Sequence, residues 1–276
     1  MKTSLADRLS NIDVRILQAG LVIVVVFALA NPIGLSVPIT EGATKAYESI
    51  NSLVAGSNVV FAISTNPGSA AEHAAMGPAI LKHLVRNKIR IAFIPTGSQA
   101  TAYVADYVNQ AKKLGYTEGT DFVNLPFRAG DEKFVASLQT GFKSVYKELP
   151  SSPLWDSIED IKSFSMWIDI SGGQSQMWAI AHIGDPSKIP VVSGVNSNMI
   201  MNLEQYLKSG QLSGLLGGLA GGAQYEVLSG VLGSGVAGMD AQGFGYLWII
   251  LLLLLGNIGY FGSKKAKAAK GGVTGD

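Results

Sequence analysis

From Phe244 to Phe261 the chain runs eighteen residues without a charged side chain, and Leu251 to Leu255 are unbroken at its centre. At about 1.5 Å of rise per residue such a run spans roughly 27 Å as a helix, close to the hydrocarbon thickness of a bilayer. Lys264, Lys265, Lys267 and Lys270 follow at once, and lysines beside a span stay on its cytoplasmic side. The run therefore reads as a transmembrane helix over 244–261 with a basic cytoplasmic tail over 262–276. Every earlier segment has to be placed relative to it.

Ile16 to Leu35 is apolar apart from Gln18 and Asn31, and Lys2, Arg8 and Arg15 precede it. That is the length and flank of a second span, 16–35, with a cytoplasmic N-terminus over 1–15. A secretory leader competes, because Ala28-Leu29-Ala30 has the A-x-A form of a cleavage site and would be cut after Ala30. Either reading exports the middle of the chain. No basic residue lies between Asn31 and Lys45, or between Lys208 and the second run, whereas both termini are basic. Both ends are therefore expected in the cytoplasm, with the central domain outside the cell membrane.

Composition excludes more than it suggests. The hydrophobic share of 47% against 15% charged residues leans toward membrane proteins, and the net charge of +1 comes from interleaved acids and bases. No basic stripe or nucleic-acid module is visible, so nucleic acid is not an expected partner. The absence of cysteine excludes disulfides, thiolate metal sites and a cysteine nucleophile. His73, His83 and His182 lack paired ligand spacing, and no metal or cofactor is expected. His73 and His83, ten residues apart on one expected helix, read as surface or interface residues.

Between the spans, strands alternate with helices. Val59 to Ile63 is a continuous apolar run, as a strand buried on both faces requires, and it ends at Thr65-Asn66-Pro67-Gly68-Ser69. Ser69 and Glu72 have the spacing of a capping box, and Pro78 is expected to kink or restart the helix they open. Further strands are expected over 89–94, 122–125, 165–170 and 189–192, each followed by a turn and an amphipathic helix. Five such strands call for a three-layer α/β domain over 36–209, with a mostly parallel sheet of Rossmann or flavodoxin type and right-handed crossovers.

The segment 210–243 breaks that rhythm. Gly214, Gly218 and Gly222 are spaced by four, as are Gly217 and Gly221, which on a helix gives two glycine stripes where another backbone can approach. A flexible connector is the competing reading. Leu212, Leu215, Leu216 and Leu219 favour packing, and with it self-association.

In a parallel sheet, ligands bind beyond the carboxyl ends of the strands. The candidate ligand-binding residues there are Thr65, Asn66, Gly68 and Ser69; Thr96, Gly97 and Ser98; Ser171, Gly172 and Gly173; and Asn196 with Ser197. Their amides and the following helix N-termini would suit an anionic ligand, although turns and helix caps in any α/β fold use the same residue types. No nucleotide fingerprint is present. Asp169, inside the fourth strand, is expected to accept bonds from loop amides.

Two resemblances bear on function. Val59 to Gly68, followed by Ile91 to Ala100, resembles membrane-anchored serine peptidases of the signal-peptide-peptidase and Clp type, which makes Ser98 the one catalytic candidate. Gln99 departs from the small-residue pattern beside that serine, and no base can be assigned from sequence, so Ser98 reads otherwise as a helix cap. Over the whole chain, the run Ser209 to Leu219, Ala223-Gln224-Tyr225-Glu226 and Gly238-Met239-Asp240-Ala241-Gln242 resemble a family of uncharacterised bacterial and archaeal two-span membrane proteins. That resemblance implies topology and no activity. The chain is thus expected to be a membrane-anchored structural or accessory subunit in a homo- or hetero-oligomeric assembly, with the bilayer and other membrane subunits as partners. A small-ligand-binding domain and a degenerate peptidase-like hydrolase are the alternatives.

Overall fold

The computed structural model describes residues 12–35 and 37–271. Lys2 and Arg8, used above to orient the N-terminus, and residues 272–276 of the tail lie outside the described residues. In chain order the main elements begin with α1 (Val14–Ala30), α2 (Glu41–Asn51), β1 (Asn58–Ser64), α3 (Ala70–Arg86) and β2 (Arg90–Pro95). Next come α4 (Ala100–Lys113), β3 (Phe122–Asn124), α5 (Asp131–Val145), β4 (Met166–Ser171) and α6 (Ser175–Ala179). The chain closes with β5 (Val191–Val195), α7 (Ile200–Ser209), β6 (Gly214–Gly217), α8 (Gly218–Ser229) and α9 (Ser234–Gly271). These elements form two compact units, one over Ser36–Val236 and one joining Met1–Leu35 to Ala237–Asp276.

In the second of these units α1 and α9 run antiparallel. The Trp248 indole donates to the Leu17 carbonyl at 3.2 Å, its ring lies against Gly20, where a β-carbon would collide with it, and further along Gly243 lies against Leu35. Pro32 cannot extend α1, and the chain beyond it turns through Gly34 at φ +71°. There the Asp240 carboxylate accepts the N–H groups of Ile33, Gly34 and Leu35 at 2.7, 2.8 and 2.7 Å. Among the described residues one helix is long and apolar enough to cross a membrane, Ser234–Gly262 within α9. At 17 residues α1 falls short of that length. The expected span over 16–35 is shorter as a helix because 31–35 forms this turn.

The other unit holds a six-stranded, wholly parallel sheet in the order β3-β2-β1-β4-β5-β6. Successive residues of the apolar run in β1 explain its composition. Phe61 and Ile63 enter a core with α3, α4, α2 and α8, whereas Val60 and Ala62 enter the opposite core with α5, α6 and α7. Each fully buried side chain of this size contributes about 1.5–3 kcal/mol. The helix after β1 covers one face and the helix after β4 the other, so the winding reverses between those two strands, as in a doubly wound fold.

Six strands stand where five were expected. The glycine-rich segment supplies the sixth, because Gly214 pairs with Val192 and Leu216 with Gly194, which sends Leu215 and Leu216 to opposite cores. Gly214 has no side chain because the backbone of Ala46 in α2 occupies that space. The expected pair of glycine stripes on one helix is therefore not formed. Gly214 and Gly217 belong to β6, whereas Gly218, Gly221 and Gly222 open α8. Their close approaches fall within the chain: Gly217 on Ile200, Gly218 on Ser197, Gly221 on Leu216, and Gly222 on Ala75 at 2.6 Å. Neither a flexible connector nor a free glycine surface results.

Pro78 lies inside α3, which runs through it as one helix. The carbonyl of Ala74, which proline cannot bond, accepts the Ser234 hydroxyl at 3.3 Å. Nearby, Gln224 donates to the Pro38 carbonyl at 2.7 Å and accepts from the Thr40 hydroxyl at 2.9 Å. The buried Glu226 carboxylate accepts the N–H groups of Gly235 and Val236, both at 2.8 Å.

Candidate functional site

The turn after β1 is closed on itself. Asn66 Oδ1 accepts from the N–H groups of Gly68 and Ser69 at 2.9 and 3.2 Å, and Ser69 Oγ accepts the Asn66 N–H at 3.0 Å. The expected capping box is therefore absent, since the Ser69 hydroxyl turns back to Asn66 and makes no cap bond. Glu72 reaches instead across to the loop after β5, where Ser197 donates both its N–H and its hydroxyl to Oε2 at 2.7 and 2.6 Å.

Beyond β2, the Thr96 N–H bonds the Ile63 carbonyl at 2.8 Å, and Gly97 passes so close to β1 that a β-carbon would sit 2.9 Å from Ser64 Oγ. Ser98 is exposed and does not cap α4, which begins after Gln99 with no side-chain cap bond. Thr65, Asn66, Gly97 and Ser98 line a shallow cleft of about 230 Å³, and Asp131 at the start of α5 completes its rim. Comparison of the chain with known protein families, curated proteins and solved structures returned no match. What the site can do must be read from its own chemistry.

Among the described residues no histidine or lysine lines this cleft, so neither of those bases stands beside Ser98 as the serine-peptidase arrangement would need. The Asp131 carboxylate sets a negative charge against the positive end of α4, which offsets the expected preference for an anion. The hydroxyls and amides suit a small polar ligand, neutral or cationic. Among the described residues no group of three or more acidic or histidine side chains is placed to hold a metal ion.

The remaining candidates do not reach the cleft. Gly172 packs between loops, where a β-carbon would lie 2.9 Å from both the Ser69 β-carbon and Asn196 Nδ2. Ser171 Oγ accepts the Gly173 N–H at 3.0 Å, and its carbonyl accepts from Gln176 at 2.6 Å. Ser171, Gly172, Gly173, Asn196 and Ser197, with Gly68 and Ser69 in their own turn, thus hold the strand-end loops together.

Both helix histidines are buried, against the surface role expected for them. His73 Nδ1 lies 2.9 Å from Thr65 Oγ1, and burial draws its pKa down to about 4 against the raising charge of Glu72. His83 Nδ1 meets the Tyr225 hydroxyl at 2.7 Å and its ring stacks on Tyr47; burial again takes its pKa to about 4. Asp169 accepts from Ser175 at 2.8 Å and from the Trp167 indole at 3.4 Å, not from loop amides. Burial raises its pKa to about 7 against these two bonds. The sequence did carry a signal for His83, which shares a helical face with Met76 and Ile80. For Glu72 and Asp131 it carried none.

Proposed function

We propose that the chain is a membrane-anchored structural or accessory subunit, with two spans, both termini cytoplasmic and the α/β domain held outside the cell membrane. The observation that carries this reading is the keyed pairing of α1 with α9 through Trp248, Gly20 and Asp240. A leader cut after Ala30 needs no such partner. The remaining surfaces of the pair are apolar and exposed, with Ile23 at 67% and Leu253 at 61%. Lipid is the solvent that suits them, and about 26 Å of helix in α1 comes close to a bilayer core. The bilayer is thus the first partner, and a second subunit or a further copy of the chain is the next.

Because the chain has no cysteine, single cysteines report topology directly. With a membrane-impermeant maleimide, Ser151→Cys should label in intact cells and Lys264→Cys only after permeabilisation; the reverse pattern would overturn the topology. Purification in mild detergent should yield a particle heavier than one chain. A bare monomer would overturn the subunit role and leave the anchor standing.

The cleft beside Ser98 supports a second reading, a domain that binds a small polar ligand. If so, Ser98→Trp should abolish stabilisation by whichever amine or polyol raises the melting temperature of the wild type. Stabilisation that survives the filled cleft excludes this site.

A further inference from the structure

Apart from the cleft beside Ser98, the α/β unit holds a more apolar hollow of about 280 Å³ at the carboxyl end of β6, the edge strand of the sheet. Ile200, Leu207 and Leu215 give it its apolar lining, the last two buried. Ile200, Glu204, Leu207 and Lys208 recur at helical spacing and so present one face of α7 to the hollow. Ile200 lies where a Gly217 β-carbon would stand, and Ala220, in the first turn of α8, is too short to fill the space that remains.

The polar lining is sparse and defined. Gln224 is 6% exposed, and its carboxamide gives one N–H to the Pro38 carbonyl at 2.7 Å and accepts the Thr40 hydroxyl at 2.9 Å. Its second N–H has no acceptor among the described residues. Glu41, Glu204 and Lys208 also line the hollow and are exposed, with Lys208 paired to Glu204 at 3.3 Å and Lys45 to Glu41 at 2.8 Å. Lys45, by its hydrogen bond and its charge, holds the Glu41 carboxyl below the usual carboxylate range, and against burial the Lys208 charge adds to this.

We propose that this hollow binds a small zwitterion with a compact apolar tail, of the class of the apolar α-amino acids. The tail lies among Ile200, Leu207 and Leu215. The ammonium meets Glu41 and Glu204, and the carboxylate meets Lys208 and the positive ends of α2 and α8, both of which begin at the hollow. A ligand with both charges can part the exposed Glu204–Lys208 pair and leave neither side chain unmatched, which a singly charged one cannot do. The volume is at the small end for a ligand site and excludes a nucleotide or a long acyl chain. The inference is independent of the membrane topology and of the cleft beside Ser98.

The test is isothermal titration of the detergent-purified full chain with L-leucine and L-phenylalanine. The controls are isocaproate, which lacks the ammonium, isopentylamine, which lacks the carboxylate, and glycine, which lacks the tail. The expected result is binding of at least one of the two amino acids, binding of the singly charged analogues weaker by about fivefold or more, and none of glycine. Ala220→Phe, which fills the hollow, should abolish binding, and Lys208→Ala, at an exposed position, should weaken the amino acid about fivefold without weakening isopentylamine. Absence of binding by both amino acids overturns the proposal, as do singly charged analogues that bind as tightly. Binding that survives Ala220→Phe places the ligand elsewhere and overturns it too. Should that variant fail to fold, Lys208→Ala and Glu204→Gln decide alone, and unchanged affinity in both is the overturning result.

Discussion

Glu226 and Asp240 are the two charged side chains between Lys208 and Lys264, and both are buried with their carboxylates on backbone N–H groups. Glu226 holds Gly235 and Val236 at the start of α9, and Asp240 holds Ile33, Gly34 and Leu35 after α1. Glu226→Ala leaves two buried donors without a partner and should cost roughly 3 kcal/mol. In a domain of this size that lowers the melting temperature by roughly 6–12 °C. Glu226→Gln, which keeps one acceptor, should lose about half as much in the same thermal scan. An unchanged melting temperature for the alanine variant would rule out the anchoring role.

Asp169 should make stability fall as pH rises. Its folded pKa of about 7 lies above the ordinary 3.8, so its contribution is fully present below about pH 4 and is lost as pH rises to about 7. His73 and His83 act oppositely, because folded pKa values of about 4 against 6.5 give stability that is present above pH 6.5 and lost on acidification. The difference between wild type and Asp169→Asn isolates the first effect. In denaturant titrations at fixed pH, wild type should lose up to a few kcal/mol relative to the variant between pH 4 and 7. Parallel pH profiles would contradict a buried proton on Asp169.

Gly222→Leu should act on folding and not on assembly. A β-carbon there already meets Ala75 at 2.6 Å and the Met76 backbone at 3.0 Å, so overpacking of α8 on α3 should cost about 1–3 kcal/mol, and more for the larger side chain. Circular dichroism melts should shift down while native mass spectrometry of the folded fraction keeps the wild-type particle mass. A dissociated particle with an unshifted melt would mean that the glycine faces another chain.

The doubly wound sheet was legible because Val59 to Ile63 is apolar at every position and its counterparts are mostly so, which is what burial on two faces demands. The strand at Gly214 to Gly217 was not, because its residues acquire their conformation from pairing with β5 and from Ala46, distant in sequence, while glycines spaced by four also fit a helix. Local spacing misled at Ser69 and Glu72 for the same reason, since the better donors for Glu72 lie 125 residues away on Ser197. At the strand ends, sequence could not separate Thr65, Asn66, Gly97 and Ser98, which line a cleft, from Gly172 and Asn196, which close a seam. Turn residues look alike in both roles.

The helix α2 lies along the outer edge of β6, where Ser49 bonds the Ser213 carbonyl across 164 residues of chain. At roughly 5–20 residues per second of synthesis, α2 leaves the ribosome roughly 10–30 s before the strand that it covers. During that interval Ala43, Ala46 and Ile50, all fully buried in the finished protein, lack the strand that covers them, and the nascent chain carries a helix with an uncovered apolar face. The packing of α2 is thus completed only when the sixth strand, at the far end of the α/β unit, has been made.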